Sequence, residues 1–190
     1  MRFQLPDFTE DRAKRRAMLP EWMAAASAGS VDAQLALAWE YSRGDVVDQD
    51  IAAAWHWFER AAASGEAEAL VHHARFLQLR GVPEGMRQLR HLAARNNWKA
   101  QFWLAQHYQF RVGRIDQMRA VVWYDRSFAN GNPFANIAKF AQLVRVARQP
   151  WKSVYAAKVI LAVVGTLKMI DTDTDADTYL PLLYRIKARG

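Results

Sequence analysis

The sequence predicts an all-α fold of stacked helical hairpins, about four of them, closed by a capping helix at each end. Three observations carry the prediction. Helix formers, alanine above all, dominate a chain in which valine, isoleucine and threonine alternate over no long run, so a sheet has little support. The stretch 29–65, GSVDAQLALAWEYSRGDVVDQDIAAAWHWFERAAASG, reads as two helices joined by a turn. The same unit then begins again, and one hairpin buries too little apolar surface to stand alone.

Taken in order, residues 1–9 read as a short extended arm ended by Pro6 and Asp7. Thr9 or Asp11 is placed to cap a helix running to about Ala28. Its last part, EWMAAASAG, ends as the later second helices end, so residues 1–28 are expected to form an arm and an N-terminal cap. In 29–65, Ala33, Leu37, Ala38 and Tyr41 fall at helical spacing and Gly44 follows as a stop. Asp50 then caps a second helix carrying Ala54, Trp57, Phe58, Ala61 and Ala62.

Internal comparison extends the unit. WFERAAASG ends at Gly65 and WYDRSFANG at Gly131, with LRHLAARNN ending at Asn97 between them, Leu89 standing in the Trp position. Gly and Asn both tolerate the left-handed backbone that closes a helix, and these ends give units of 36, 32 and 34 residues. The first helices repeat as well: Ala33, Ala38 and Tyr41 correspond to Ala69, Ala74 and Leu77, then to Ala100, Ala105 and Tyr108. Trp57 and Trp123 occupy one repeated position, where packing between hairpins is the natural role.

At this point the unit resembles the SEL-type repeat (SLR), a relative of the tetratricopeptide repeat. The first unit supplies Ala33, Leu37-Ala38, Tyr41, Gly44, Val46, Asp50, Ala54, Trp57-Phe58, Ala61-Ala62 and Gly65. The third follows through Ala100, Leu104-Ala105, Tyr108, Gly113, Ala120, Trp123-Tyr124 and Gly131. The second is degenerate, because Gly81-Val82-Pro83 shortens its turn and Leu89 replaces the aromatic. The resemblance covers about residues 20–145. It implies a right-handed α-α superhelix, a solenoid that serves as an adaptor for other proteins without catalysis of its own.

Past Gly131 the pattern weakens. NPFANIAKFAQLVRVARQ reads as a helix, Pro150 opens the next, and WKSVYAAKVILAVVG pairs with it and ends at Gly165, so 29–165 is expected to be the solenoid. Residues 166–190 are expected to form an acidic loop and a last helix from about Thr178 to Ala188, capped by Asp177.

Composition narrows the function. The chain has 190 residues, 52% of them hydrophobic and 24% charged, enough for a sizeable core. It has no cysteine, which excludes disulfides, thiolate metal sites and a cysteine nucleophile. The first residues, MRFQLPDFTEDRAKRRAML, lack the uninterrupted apolar core of a signal peptide, and the greasy run Val159–Val164 is too short to span a bilayer; a cytoplasmic protein is expected. A formal charge of +7 would attract nucleic acid or an anionic surface if the bases were gathered on one face. The only tight cluster is Arg12, Lys14, Arg15 and Arg16, which reads as solvated surface, with a functional basic patch as the alternative.

No motif anchors an enzyme: there is no G-x-S-x-G elbow, phosphate-binding glycine loop or H-E-x-x-H pair. The repeat DTDTDAD at 171–177 has Ala176 and Leu182 where a calcium loop needs Gly and Glu, so it reads as a solvated linker. His56, His72, His73, His91 and His107 show no metal-binding spacing, and no cofactor is expected.

The expected activity is binding. If the repeated Ala, Leu and Tyr positions face the core, the other face of each first helix lines the inside of the superhelix. That face carries Leu35 and Trp39, then Val71, Arg75 and Gln78, then Phe102, Gln106 and Gln109. An apolar row beside one of Trp, Arg and amides has the composition of a concave peptide-binding groove. Trp39 and Phe102 would then supply buried area, Arg75 would pair with a carboxylate or carbonyl, and the three glutamines would bond to the partner's backbone. The other reading is that these are partly covered surface residues, or that the register is off by one. The partner is expected to be a protein or peptide, with a nucleic-acid or anionic-surface binder as the alternative.

Overall fold

The computed structural model of the chain describes residues 12–148 and 151–172. The expected arm, the cap at Thr9 or Asp11, Pro150 and the last helix lie outside those residues, as do the side chains of 171–177. The described residues are helical throughout apart from short turns: α1 Arg12–Ser27, α2 Val31–Arg43, α3 Ile51–Ala62, α4 Ala67–Leu79, α5 Pro83–Ala94, α6 Trp98–Gln109, α7 Arg114–Ala129, α8 Pro133–Val146 and α9 Trp151–Thr172. The fold is an all-α helical repeat, in which α2–α3, α4–α5, α6–α7 and α8–α9 follow one another as hairpins. The described helices gather into two compact units, with the division falling inside α5 between Gln88 and Leu89.

Local chemistry sets the helix ends. Ser30 and Asp50 cap α2 and α3, the Asp50 Oδ1 accepting the Ala53 N–H at 2.9 Å. Asn97 does the same for α6, accepting from Ala100 at 2.9 Å. Gly44 stops α2 in the left-handed region, at φ 74°, with its N–H on the Glu40 carbonyl.

One repeat boundary differs from expectation by a residue. The left-handed closing residue of the second hairpin is Asn96, at φ 61°, and not Asn97, which is taken up as the cap. Closing residues Gly29, Gly65, Asn96 and Gly131 thus mark units of 36, 31 and 35 residues. A second correction concerns Gly165, expected to end the helix that follows Pro150. It lies inside α9, which runs on to Thr172.

In the first unit Trp22 and Ala26 of α1 join Leu35, Leu37, Phe58, Ala61, Phe76 and Leu77 in one core. Phe58 stacks on Phe76 with ring centroids 4.6 Å apart, joining α3 to α4. Gly85 of α5 meets the backbone of α4 so closely that a β-carbon there would lie 2.4 Å from the Gln78 nitrogen. In the second unit Ala105, Ala120, Tyr124 and Ala135 bring α6, α7 and α8 together.

A polar device recurs with the repeat. The buried Gln34 amide donates to the Ala26 carbonyl at 3.1 Å, and the buried Gln101 amide to the Ala93 carbonyl at 3.0 Å. Both follow the first repeated alanine of their unit, Ala33 and Ala100, and each ties a first helix to the end of the helix before it by giving a second donor to a carbonyl that already accepts a turn N–H, from Gly29 at Ala26 and from Asn96 at Ala93.

Candidate partner-binding site

The eight residues expected to line a groove divide into those the fold covers and those it leaves accessible. Leu35 and Val71 have no accessible surface, and Trp39 keeps only 9%. The expectation that these three present themselves to a partner is not met. For Leu35 and Trp39 the physical reason is that α2 is enclosed, because α1, α3 and α4 all pack on it and every residue from 33 to 40 is buried; Val71 stands on α4, which packs on α2 and α3. An amphipathic reading assigns a helix one wet face, and α2 has none.

Trp39 is held as a core residue. Its ring meets Phe58 edge-on at 5.0 Å, and the Arg43 guanidinium lies 5.2 Å from its centroid. Its indole N–H donates to His72 Nδ1 at 3.0 Å. An indole only donates, so Nδ1 is unprotonated and the imidazole proton sits on Nε2, which faces Glu68 Oε1 at 3.5 Å.

The remaining five positions are half-exposed. On α4, Arg75 donates from its guanidinium to Gln78 Oε1 one turn on. On α6, Phe102 leans edge-on against Tyr124 with centroids 5.6 Å apart. Gln106 and Gln109 close a ring of hydrogen bonds with the same tyrosine. The Gln106 amide donates to the Tyr124 hydroxyl at 2.9 Å, the hydroxyl donates to Gln109 Oε1 at 2.8 Å, and the Gln109 amide donates to Gln106 Oε1 at 2.7 Å. Each member both gives and receives, so the ring is internally satisfied. Burial raises the Tyr124 pKa well above the ordinary phenol value, against the pull of Arg145, which keeps the donor in place.

The basic cluster near the N-terminus is partly dismantled. Arg15 is buried and paired with the fully buried Glu40, and Arg16 donates to the Val46 carbonyl at 3.1 Å. Sequence reasoning missed this pair, although an acid directly after the apolar run LALAW is a signal that it is enclosed. Among the described residues no three His, Asp or Glu side chains converge as metal ligands, and no helix is long and apolar enough to cross a membrane.

His73 on α4 supplies a pH handle. Burial lowers its pKa below the ordinary value of 6.5, opposed by the nearby Glu59 carboxylate. The unfolded chain therefore takes up a proton more readily than the folded one. This contribution to stability is intact above pH 6.5 and is lost as pH falls through that value toward the folded pKa. Urea midpoints measured between about pH 7.5 and 5 are expected to fall less steeply for His73→Gln than for the parent chain. Parallel slopes would remove His73 from the account.

Paired helices, left-handed closing residues and repeated alanine contacts define a helical-repeat protein. More specifically, the Sel1 repeat model matches the chain at residues 31–66 and 98–132, which are the hairpins α2–α3 and α6–α7. The hairpin between them, degenerate in its turn and its aromatic position, lies outside both matches. Sel1 repeats form a non-catalytic scaffold family whose members mediate protein–protein interaction. Two solved structures share the fold. One is a protective antigen of uropathogenic Escherichia coli strains displaying an SLR fold, at TM-score 0.54 and 20% identity over 82% of this chain; the chain spans 34% of that antigen. The other is a Sel1 repeat protein from Oxalobacter formigenes, at TM-score 0.51 and 18% identity, covering 87% of this chain and 79% of that one. No curated protein matches the chain.

Proposed function

We propose that the chain is a non-catalytic adaptor that binds another protein or a peptide through the accessible side chains of its first helices. Each compact unit contributes its own contact residues, Arg75 and Gln78 on α4 in the first and Phe102, Gln106 and Gln109 on α6 in the second. One observation carries the reading: half-exposed polar side chains recur in register. Arg75 and Gln106 hold one repeat position and Gln78 and Gln109 another, measured from Ala69 and Ala74 in one repeat and Ala100 and Ala105 in the next, all four fully buried.

Two features support recognition of a partner's backbone and carboxylates. Arg75 is steadied by Gln78 and the two α6 glutamines by Tyr124, so less side-chain freedom is lost on binding. Arginine and aromatic groups are also the residue types that concentrate binding energy. The Sel1 repeats point to a protein partner. Nucleic acid is the weaker reading, because Arg15 and Arg16 of the basic cluster are engaged within the fold.

The test compares capture of partners from native lysate by the parent chain and by Arg75→Ala/Gln78→Ala. Trp39 is no use as a probe, since its removal would open the core. Loss of the captured protein with an unchanged circular dichroism spectrum is expected. Equal capture by the variant, or retention of nucleic acid alone that disappears with added salt, would sink the reading.

A further inference from the structure

The outward face of α7 belongs to neither the core nor the proposed groove. Ala120, Tyr124 and Ser127 turn inward and are fully buried. On the opposite side Ile115, Met118 and Val122 are 72%, 40% and 49% exposed, and Ala129 continues their line. Their spacing of three, four and seven residues is that of a heptad seam, with Asp125 at the remaining inner position. That acid is neutralised by Lys139, whose Nζ lies 2.8 Å from Asp125 Oδ1.

Of the five flanking heptad positions three carry exposed arginines, Arg114 on one side and Arg119 and Arg126 on the other, and two carry Val121 and Phe128; the arginines and the apolar seam line one shallow depression. Arg119 rests on Asp116 at 2.8 Å and Arg126 lies 4.8 Å from the Trp123 ring centroid, so both are held beside the seam.

We propose that this face docks an amphipathic helix of another protein whose apolar stripe is flanked by Asp and Glu. Exposed apolar residues in a helical line call for a helical partner. The flanks choose which one. Residues bordering a heptad seam face each other across it, so a second copy of this chain would set arginine against arginine in either orientation, whereas an acidic helix meets a cation at each flank. The site is independent of Arg75, Gln78 and the α6 residues, so failure here leaves the first-helix reading standing, and the reverse holds too.

The experiment uses the full chain and two labelled three-heptad peptides with leucine at the seam, one with glutamate and one with lysine at the flanks, read by fluorescence anisotropy. The glutamate peptide is expected to bind at least about tenfold more tightly than the lysine peptide at low salt, the margin narrowing as salt is added. Ile115→Ser/Val122→Ser is expected to abolish binding with circular dichroism unchanged, and Arg119→Glu/Arg126→Glu to invert the preference. Binding of neither peptide, equal binding of both, or indifference to these variants would overturn the proposal. So would a dimer in light scattering that Ile115→Ser dissolves, since that would make a second copy the occupant.

Discussion

Alanine at Gly85 is expected to destabilise the chain by about 3 kcal/mol, although alanine is the better helix residue by roughly 1 kcal/mol. Gly85 stands in the first turns of α5, three residues past the tight turn that follows α4. A β-carbon there would fall 2.4 Å from the Gln78 nitrogen, 2.7 Å from the Ala74 carbonyl oxygen and 2.8 Å from the Leu77 carbonyl carbon. All three are backbone atoms of α4, so no rotamer change relieves the clash; the helices must move apart or α5 must shift.

The comparison that isolates this cause is Gly165, also helical, whose added β-carbon meets nothing within 4 Å. Gly165→Ala is expected to stabilise by about 0.5–1 kcal/mol, from the smaller entropy that alanine loses on folding. Urea unfolding of the two variants should move in opposite directions. If both rise, close packing at Gly85 is not what the glycine is for. If both fall, the helix at Gly165 is not continuous.

The Gly85 contact also shows where the sequence stops being readable. A glycine inside a predicted helix is a visible anomaly, but which backbone approaches it is a tertiary fact. Helix ends, by contrast, were legible because their causes are local. Gly44 and Asp50 behave as their residue types demand. The boundary at Asn96 and Asn97 was misplaced by one because asparagine suits both the left-handed residue and the cap, and two stood side by side. The alanine spacing of the first helices, 36 residues and then 31, held the correct register.

Exposure at the candidate positions was legible in part. Arg75, Gln78, Phe102, Gln106 and Gln109 keep accessible surface, while Leu35 and Val71 keep none and Trp39 only 9%. Periodicity tells how many faces of a helix are apolar only if the polar positions are charged, and α2 carries LALAW, apolar for a full turn and more. That run was the available sign of a helix enclosed on every side. The seam on α7 was equally visible as Ile115, Met118 and Val122 at heptad spacing, but whether such a stripe faces the core or solvent depends on the neighbours.

Breaking the pair between Arg15 and Glu40 is expected to be the other severe lesion, at about 3–5 kcal/mol for Glu40→Ala or Arg15→Ala. Side-chain exposure is 6% for Arg15 and nil for Glu40, so removing either leaves a charge with little water to replace its partner. Arg15 has some relief, since Asp45 Oδ2 lies 3.8 Å from its second terminal nitrogen on a carboxylate that is 49% exposed. Glu40 has less. Its Oε2 is buried and meets no donor, so Glu40 depends on the Oε1 contact alone. Arg15→Ala should therefore cost at least as much as Glu40→Ala.

That unmet oxygen decides the double variant. A buried pair gains over an apolar pair only when its remaining lone pairs are satisfied, and here one is not. Arg15→Met/Glu40→Met is thus expected to come within about 1 kcal/mol of the parent chain, or above it, with a coupling energy between the sites of several kcal/mol in a double-mutant cycle. Additive losses in urea unfolding would show that the two groups are stabilised separately.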